Sequence, residues 1–188
     1  NKIFFEIIIA PSFDSGALSL FSKKKNLRVL SLGKYKPKKS FGKEIAGGWV
    51  IQETDLSKIS VSRLKTVTKK PPTKAQLSTL ALAWKTVKHA KSNAIVVAHN
   101  KKIISISGGQ TSRIDAVKYA LTKTRVPAGA VLASDAFFPF RDSVDLMAKY
   151  KIKSIIQPGG SIKDKEVIGA CDKHGISMVF TGTRVFKH

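Results

Sequence analysis

The sequence predicts a layered α/β domain. Short apolar runs alternate with helical segments from Thr73 to the end of the chain, and the helical segments are long enough to connect neighbouring strands. The first of these segments carries Leu77, Leu80, Ala81, Trp84 and Val87 on one face, as expected of a helix packed on a sheet. Such alternation predicts a largely parallel sheet.

The elements follow in order. Residues 3–10 are rich in Ile and Phe with little alternation, which predicts a buried strand. Ser12 or Asp14 then suits the N-cap of a helix through Ala17, Leu18, Leu20 and Phe21. Asn26–Leu30 reads as another short strand. Residues 33–72 are rich in Gly, Lys and Ser and hold two strand-like pieces, Gly48–Gln52 and Ile59–Val67, before Pro71-Pro72 marks a boundary. After the helix from Thr73 come strands at Ala94–Val97 and Ile103–Ile106, joined at Asn100-Lys101-Lys102. A helix around Ser112–Leu121 follows, then a strand at Val131-Leu132, a helix from Ser143 to Lys149 and a strand at Ser154–Ile156. A helix at Lys163–His174 and a strand at Met178–Phe180 close the series.

With 188 residues, 43% of them apolar and 24% charged, the chain has the composition of a soluble globular protein with a sizeable core. Its apolar runs fall far short of the ~20 residues of a membrane span, and no signal-peptide pattern is present. The single cysteine, Cys171, cannot form an intramolecular disulfide, so a cytoplasmic setting is expected. The chain opens on Asn1 with Lys2–Ile7 already strand-like, as if cut from something longer.

A formal charge of +22 raises the question of a nucleic-acid partner. Of the 34 basic residues only 6 are Arg, the residue favoured for reading bases, and no RRM, KH, zinc-finger or basic-zipper pattern occurs. The clusters Lys23-Lys24-Lys25, Lys36-Pro37-Lys38-Lys39 and Lys69-Lys70 sit beside turns. The charge is therefore read as solvated lysine, which would also favour small polyanions as ligands.

Three strand-to-helix turns stand out, because ligands gather at strand C-terminal edges in open α/β sheets. In Ser107–Arg113, the pair Gly108-Gly109 permits close backbone approach and a helix start offers free amides, although such turns are often purely structural. Ala133–Asp142 brackets three phenylalanines with Ser134, Asp135, Arg141 and Asp142; this mixture suits either core packing or a flat heteroaromatic ring. In Gln157–Asp164, Gly159 and Gly160 precede a helix, so the turn is either an anion cradle or a well-capped loop. No His-x-Glu or Cys-x-x-Cys occurs, and His89, His99, His174 and His188 lack metal-ligand spacing, so the residues build no zinc site. Cys171 lies on an apolar helical pattern and reads as packing.

Taken together, Lys91–Ile95, Gly109–Arg113, Ala133–Phe140, Gln157–Ser161 and Arg184–His188 resemble one family, in order. It is the family of bifunctional purine enzymes that join aminoimidazolecarboxamide ribonucleotide (AICAR) transformylase to inosinate cyclohydrolase, and this chain is similar to the C-terminal half of the transformylase. Ile8–Phe13, Gly47–Gln52 and Val67–Thr73 match more weakly.

The resemblance implies a cytidine-deaminase-like layered α/β/α fold without zinc. Residues 1–32 would be the tail of a first deaminase-like unit, 33–72 a connecting region and 73–188 a second unit. It further implies formyl transfer from 10-formyltetrahydrofolate, as co-substrate, to the amine of AICAR. Asn93, Arg113, Phe137 and Arg184 would contact AICAR, and Ile114, Asp142, Ser161 and Ile162 would line the folate side. The partners implied are AICAR, folate, the upstream half of the same enzyme and a second copy in a homodimer of the complete enzyme.

Two departures from the family pattern are visible. Ser105-Ile106-Ser107-Gly108-Gly109-Gln110 carries serines where the family has two glycines, which would weaken binding if close backbone approach is needed there. The family's catalytic Lys-His pair stands beside an Asn-Pro-Cys-like segment, and nothing in this chain matches it. Lys88-His89 is followed by Ala90-Lys91-Ser92 and reads as a cation pair at a helix C-terminus. The catalytic base is accordingly expected upstream, and the chain alone is expected to be inactive. The alternatives are a non-catalytic nucleotide- or folate-binding subunit and a basic nucleic-acid-binding protein.

Overall fold

The computed structural model describes residues 4–188, and the chain divides into two compact units, one ending at Thr54 and one running from Asp55 to His188. The start of the strand expected over residues 3–10 lies outside the described residues.

In the first unit, β1 (Ile7–Ala10) and β2 (Arg28–Ser31) pair in parallel across α1 (Ser15–Ser22). Asp14 caps α1, its carboxylate accepting from the Ala17 amide at 2.7 Å. β3 (Ser40–Ile45) and β4 (Gly48–Glu53) form an antiparallel hairpin that turns on Gly47 at φ +83°. The expected burial of the first strand is not what the structure shows: Ile7 and Ile9 are about half exposed. The reason is architectural. No described residue of this unit is buried, because two parallel strands and one short helix do not enclose a core.

In the second unit a 3-10 turn (Val61–Arg63) leads into β5 (Lys65–Thr66). The longer strand expected over Ile59–Val67 is broken there because the apolar alternation slips, stepping from Val61 to Leu64. Residues 55–72 thus supply a sheet edge to this unit: β5 pairs with the last strand, and the Thr68 hydroxyl accepts from the Met178 amide. Next comes α2 (Lys74–Val87), opened by a capping box in which Thr73 and Gln76 satisfy each other's amides. β6 (Ile95–His99), β7 (Lys102–Ser107), α3 (Arg113–Thr122), β8 (Val131–Ser134), α4 (Asp142–Lys149), β9 (Ser154–Gln157), α5 (Asp164–His174) and β10 (Ser177–Phe180) complete the unit.

The strand order is β5-β10-β9-β8-β6-β7, and the sheet is mixed rather than largely parallel. β8, β9 and β10 run parallel, whereas β6 opposes both β7 and β8, and β5 opposes β10. Asn100 and Lys101, both at positive φ, close a hairpin between β6 and β7 that is too short for a parallel crossover. Strand residues alternate between two cores. Val96, Val131, Ala133, Ile156 and Val179 pack under Leu80, Ala83, Trp84 and Val87 of α2. On the opposite face, Ile95, Val97, Leu132, Ile155 and Met178 meet α3, α4 and α5. The result is a three-layered mixed α/β unit.

Candidate functional site

Strand register gathers the motif turns along one edge of the sheet. Ser134 stands opposite Ile95, Ile95 opposite Ser107 and Gln157 opposite Phe180. The segments 92–94, 108–114, 135–142, 158–163 and 181–188 therefore emerge side by side, and every sequence-predicted site residue lies in one of them.

At the centre lies Asp135, fully buried at the end of β8. Its carboxylate accepts from the Ala94 amide at 3.1 Å, from the Ser92 hydroxyl and from the Arg113 guanidinium. Arg113, at the start of α3 and only 7% exposed, also donates to the Ala94 carbonyl at 3.0 Å and to Asn93 Oδ1 at 2.8 Å. Asn93 in turn donates through Nδ2 to the Gln110 carbonyl at 2.9 Å. A buried ion pair needs its remaining donors and acceptors satisfied, and this one has them. The network fixes the start of β6, the turn after β7 and the turn after β8 as one piece. Sequence reading named Asn93 and Arg113 but not Asp135 as a site residue; the signal was an aspartate closing the buried run Val131–Ser134.

Arg184 and Phe137 form a second pair. The Arg184 guanidinium lies over the Phe137 ring, 4.8 Å from its centroid, and Arg184 is otherwise exposed. The adjacent Val185 amide donates to the Asp135 carbonyl at 3.0 Å, which ties this pair to the network. Gly160 backs onto Arg184 from the turn after β9.

The Gln157–Asp164 turn is a self-capped loop. The Gly159 amide donates to buried Gln157 Oε1, Gly160 to Asp164 Oδ2, Lys163 to Ser161 Oγ and Asp164 to the Ser161 carbonyl. Those four amides are engaged within the loop and are not free to cradle an anion. Of the residues expected on a folate side, Ile114 follows Arg113 and is half-buried, Ser161 is half-buried in the turn after β9, Ile162 is fully exposed at the loop tip, and Asp142 accepts from the Ser143 amide at 2.6 Å. Among the described residues no contact network joins these four in the way that hydrogen bonds and a ring contact link Asn93, Arg113, Phe137 and Arg184.

The two serines at family glycine positions point away from the turn. Ser105 donates to the Ala120 carbonyl of α3, and Ser107, two residues on and on the same face, is fully buried with an unpartnered hydroxyl. Gly108 and Gly109 remain at the turn itself, where a Cβ on Gly108 would lie 3.1 Å from the Lys91 carbonyl.

Lys88 at the C-terminus of α2 donates to the Asp55 and Ser57 carbonyls, each at 3.0 Å, with the Asp55 carboxylate 3.6 Å away, while His89 is exposed. Burial pulls the Asp55 carboxyl upward, but the Ser57 hydroxyl and amide and the Lys88 ammonium outweigh it and hold the group below its ordinary value. The Arg141 guanidinium, with His174 beside it, holds the Asp145 carboxyl far below the carboxylate range. Burial, with Asp172 and Asp145 nearby, pushes the Cys171 thiol up to about 12, which makes it a packing residue. Among the described residues no three His, Cys, Asp or Glu side chains cluster to hold a metal, and no helix is long and apolar enough to cross a membrane.

Comparison with known proteins gives consistent matches. The family described as "AICARFT/IMPCHase bienzyme" matches residues 1–123. Among curated relatives, each named "Bifunctional purine biosynthesis protein PurH", that of Aquifex aeolicus is 47% identical across all of this chain and 37% of its own length. That of Persephonella marina is 50% identical across all of this chain and 38% of its own length, and that of Caldicellulosiruptor saccharolyticus 50% and 37%. The chain thus spans well under half the length of these relatives. A solved deaminase/reductase from Thermotoga maritima shares 23% identity over 54% of this chain and 33% of its own at a TM-score of 0.32, too slight a likeness to bear on the fold. With the family match covering residues 1–123 and these relatives aligned along all of the chain, the chain belongs to the AICARFT/IMPCHase bienzyme family.

Proposed function

We propose that this chain is the C-terminal half of an AICAR transformylase, which moves a formyl group from 10-formyltetrahydrofolate to AICAR in purine biosynthesis. The observation that carries this reading is the convergence of Asn93, Arg113, Phe137 and Arg184 on one sheet edge around Asp135. The network holds Asn93 with its amide oriented, and Arg184 is the exposed guanidinium set to meet an anionic group. Phe137 gives that guanidinium a ring to rest on and offers a flat apolar surface beside it. Ile114, Asp142, Ser161 and Ile162, on the neighbouring turns of the same edge, are the folate side. The fold is a deaminase-like α/β/α layering that works without zinc.

On this reading residues 1–32 are the tail of a first deaminase-like unit, 33–72 a connection and 73–188 a second unit. The exposed apolar side chains Ile7, Ile9, Leu18, Leu20 and Leu30 support that view of the first segment, since an upstream half would have apolar surface there to cover. The complete enzyme acts as a homodimer in the cytoplasm. The AICAR amine is conjugated with an electron-poor ring and needs a base. Lys88 is tied to the 55–57 backbone, so the base comes from the upstream half.

Titration calorimetry tests the binding half of this reading. Arg184→Ala is expected to weaken AICAR binding by ~1–3 kcal/mol through loss of a charge-assisted contact. Unchanged affinity with the fold intact would remove Arg184 from the site.

A further inference from the structure

The edge of the sheet opposite the candidate site has its own chemistry. There β6 turns into β7, α3 leads into β8, and α4 leads into β9. The three connecting stretches, 99–102, 123–130 and 149–153, contain seven Lys or Arg and no Asp or Glu. Between the second and third opens a cleft of about 360 Å³, walled by Val126, Pro127, Ala128 and Tyr150 and carrying Arg125, Lys149 and Lys151. Among the described residues no ion pair engages these three cations.

A bland account would assign the basic residues to the C-termini of α3 and α4, whose dipoles favour cations. Each terminus is equivalent to roughly half a negative charge. The two together amount to about one charge, far less than seven full positive charges, and Arg125, Lys151 and Lys153 lie beyond the last helical turns. Lys151 also adopts φ +57°, a conformation that glycine or asparagine would take with less strain. Backbone geometry therefore does not explain a lysine there.

We propose that this cleft is a second ligand site that binds a nucleoside polyphosphate. Arg125, Lys149 and Lys151 take the phosphates, the Arg125 guanidinium offering a paired fork of donors. The Tyr150–Pro127 wall takes the base. The volume lies within the range of small-molecule clefts, and the combination of an apolar wall with convergent cations suits a ligand with one flat and one charged end. The site lies across the sheet from Arg184 and is independent of the formyl-transfer reading.

The test is calorimetry on the 188-residue chain with ATP, inorganic tripolyphosphate and adenosine, in roughly physiological salt so that diffuse attraction is screened. ATP is expected to bind saturably and more tightly than either of its parts. Arg125→Ala, Lys149→Ala and Lys151→Asn, the last of which keeps the left-handed backbone accessible, are each expected to weaken ATP by about tenfold or more. Arg184→Ala, at the other edge, is expected to leave this binding unchanged. Circular dichroism confirms that each variant is folded. Equal affinity for tripolyphosphate and ATP would overturn the nucleoside assignment. ATP binding that is insensitive to all three cleft substitutions, or lost in Arg184→Ala alone, would overturn the site.

Discussion

Replacing Asp135 with alanine is expected to destabilise the second unit by about 3–5 kcal/mol, the usual consequence of removing one partner of a buried ion pair. The guanidinium of Arg113 would remain almost wholly buried with its charge uncompensated. The Ala94 amide and the Ser92 hydroxyl would lose their acceptor at the same time. Asp135→Asn keeps an oxygen for Ala94 and Arg113 but no charge, and is expected to fall between wild type and alanine. Because the same carboxylate joins three turns of the site edge, AICAR affinity should fall with it. Denaturant unfolding of the three proteins gives the comparison. Equal midpoints for wild type and Asp135→Ala would show that the network does not hold this edge.

Gly159→Ala is expected to cost about 2–5 kcal/mol, from two separable causes. Gly159 sits at φ +75°, where an L side chain costs roughly 1–2 kcal/mol. An added Cβ would also come within 2.5 Å of Phe180 Cδ2 and 2.7 Å of Cε2, an overlap with the ring body worth about 1–3 kcal/mol. A second substitution, Phe180→Ala, removes the overlap but not the backbone term, so the double variant should show a favourable coupling of about 1–3 kcal/mol. Gly160 is the control. Its added Cβ would meet only the Arg184 guanidinium, at 3.9 Å, so Gly160→Ala carries the backbone term alone. Equal costs at the two glycines would show that Phe180 does not close on Gly159.

Much of this architecture is legible in the sequence, and the departures have identifiable causes. The helix from Thr73 through Leu80, Trp84 and Val87, the start of α3 around Ser112 and the choice of Ser12 or Asp14 as the cap of α1, which falls to Asp14, follow from local spacing and side-chain chemistry, which act within a few residues. Sheet direction does not: the reversal of β6 depends on a two-residue turn at Asn100-Lys101 that reads as an ordinary polar loop. The half-exposed Ile7 and Ile9 show the other limit, because apolar patterning reports what a strand needs to bury, not whether a covering layer is present. At the site, Asn93, Arg113, Phe137 and Arg184 are named together through the family resemblance of their segments, not from spacing or chemistry alone. The placing of Arg113 on Asp135 is not readable, since the two lie far apart in sequence and no local pattern pairs them, although Asp135 closes an apolar run. In the sequence the glycine turn at 157–164 is open between an anion cradle and a capped loop, and only the local acceptors of Gln157, Ser161 and Asp164 show that the amides of Gly159, Gly160, Lys163 and Asp164 are engaged.

The central claim is that this sheet edge positions substrates for formyl transfer while the base comes from elsewhere. A formyl-transfer assay on the 188-residue chain, alone and mixed with a polypeptide carrying the Lys-His segment expected upstream, tests it most directly. General-base assistance is typically worth ~10²–10⁴-fold in rate. The account predicts no measurable transfer by the chain alone, with AICAR still bound, and activity that appears on mixing and is reduced by Arg184→Ala. Robust transfer by the isolated chain would contradict it, because a group within these residues would then have to serve as the base.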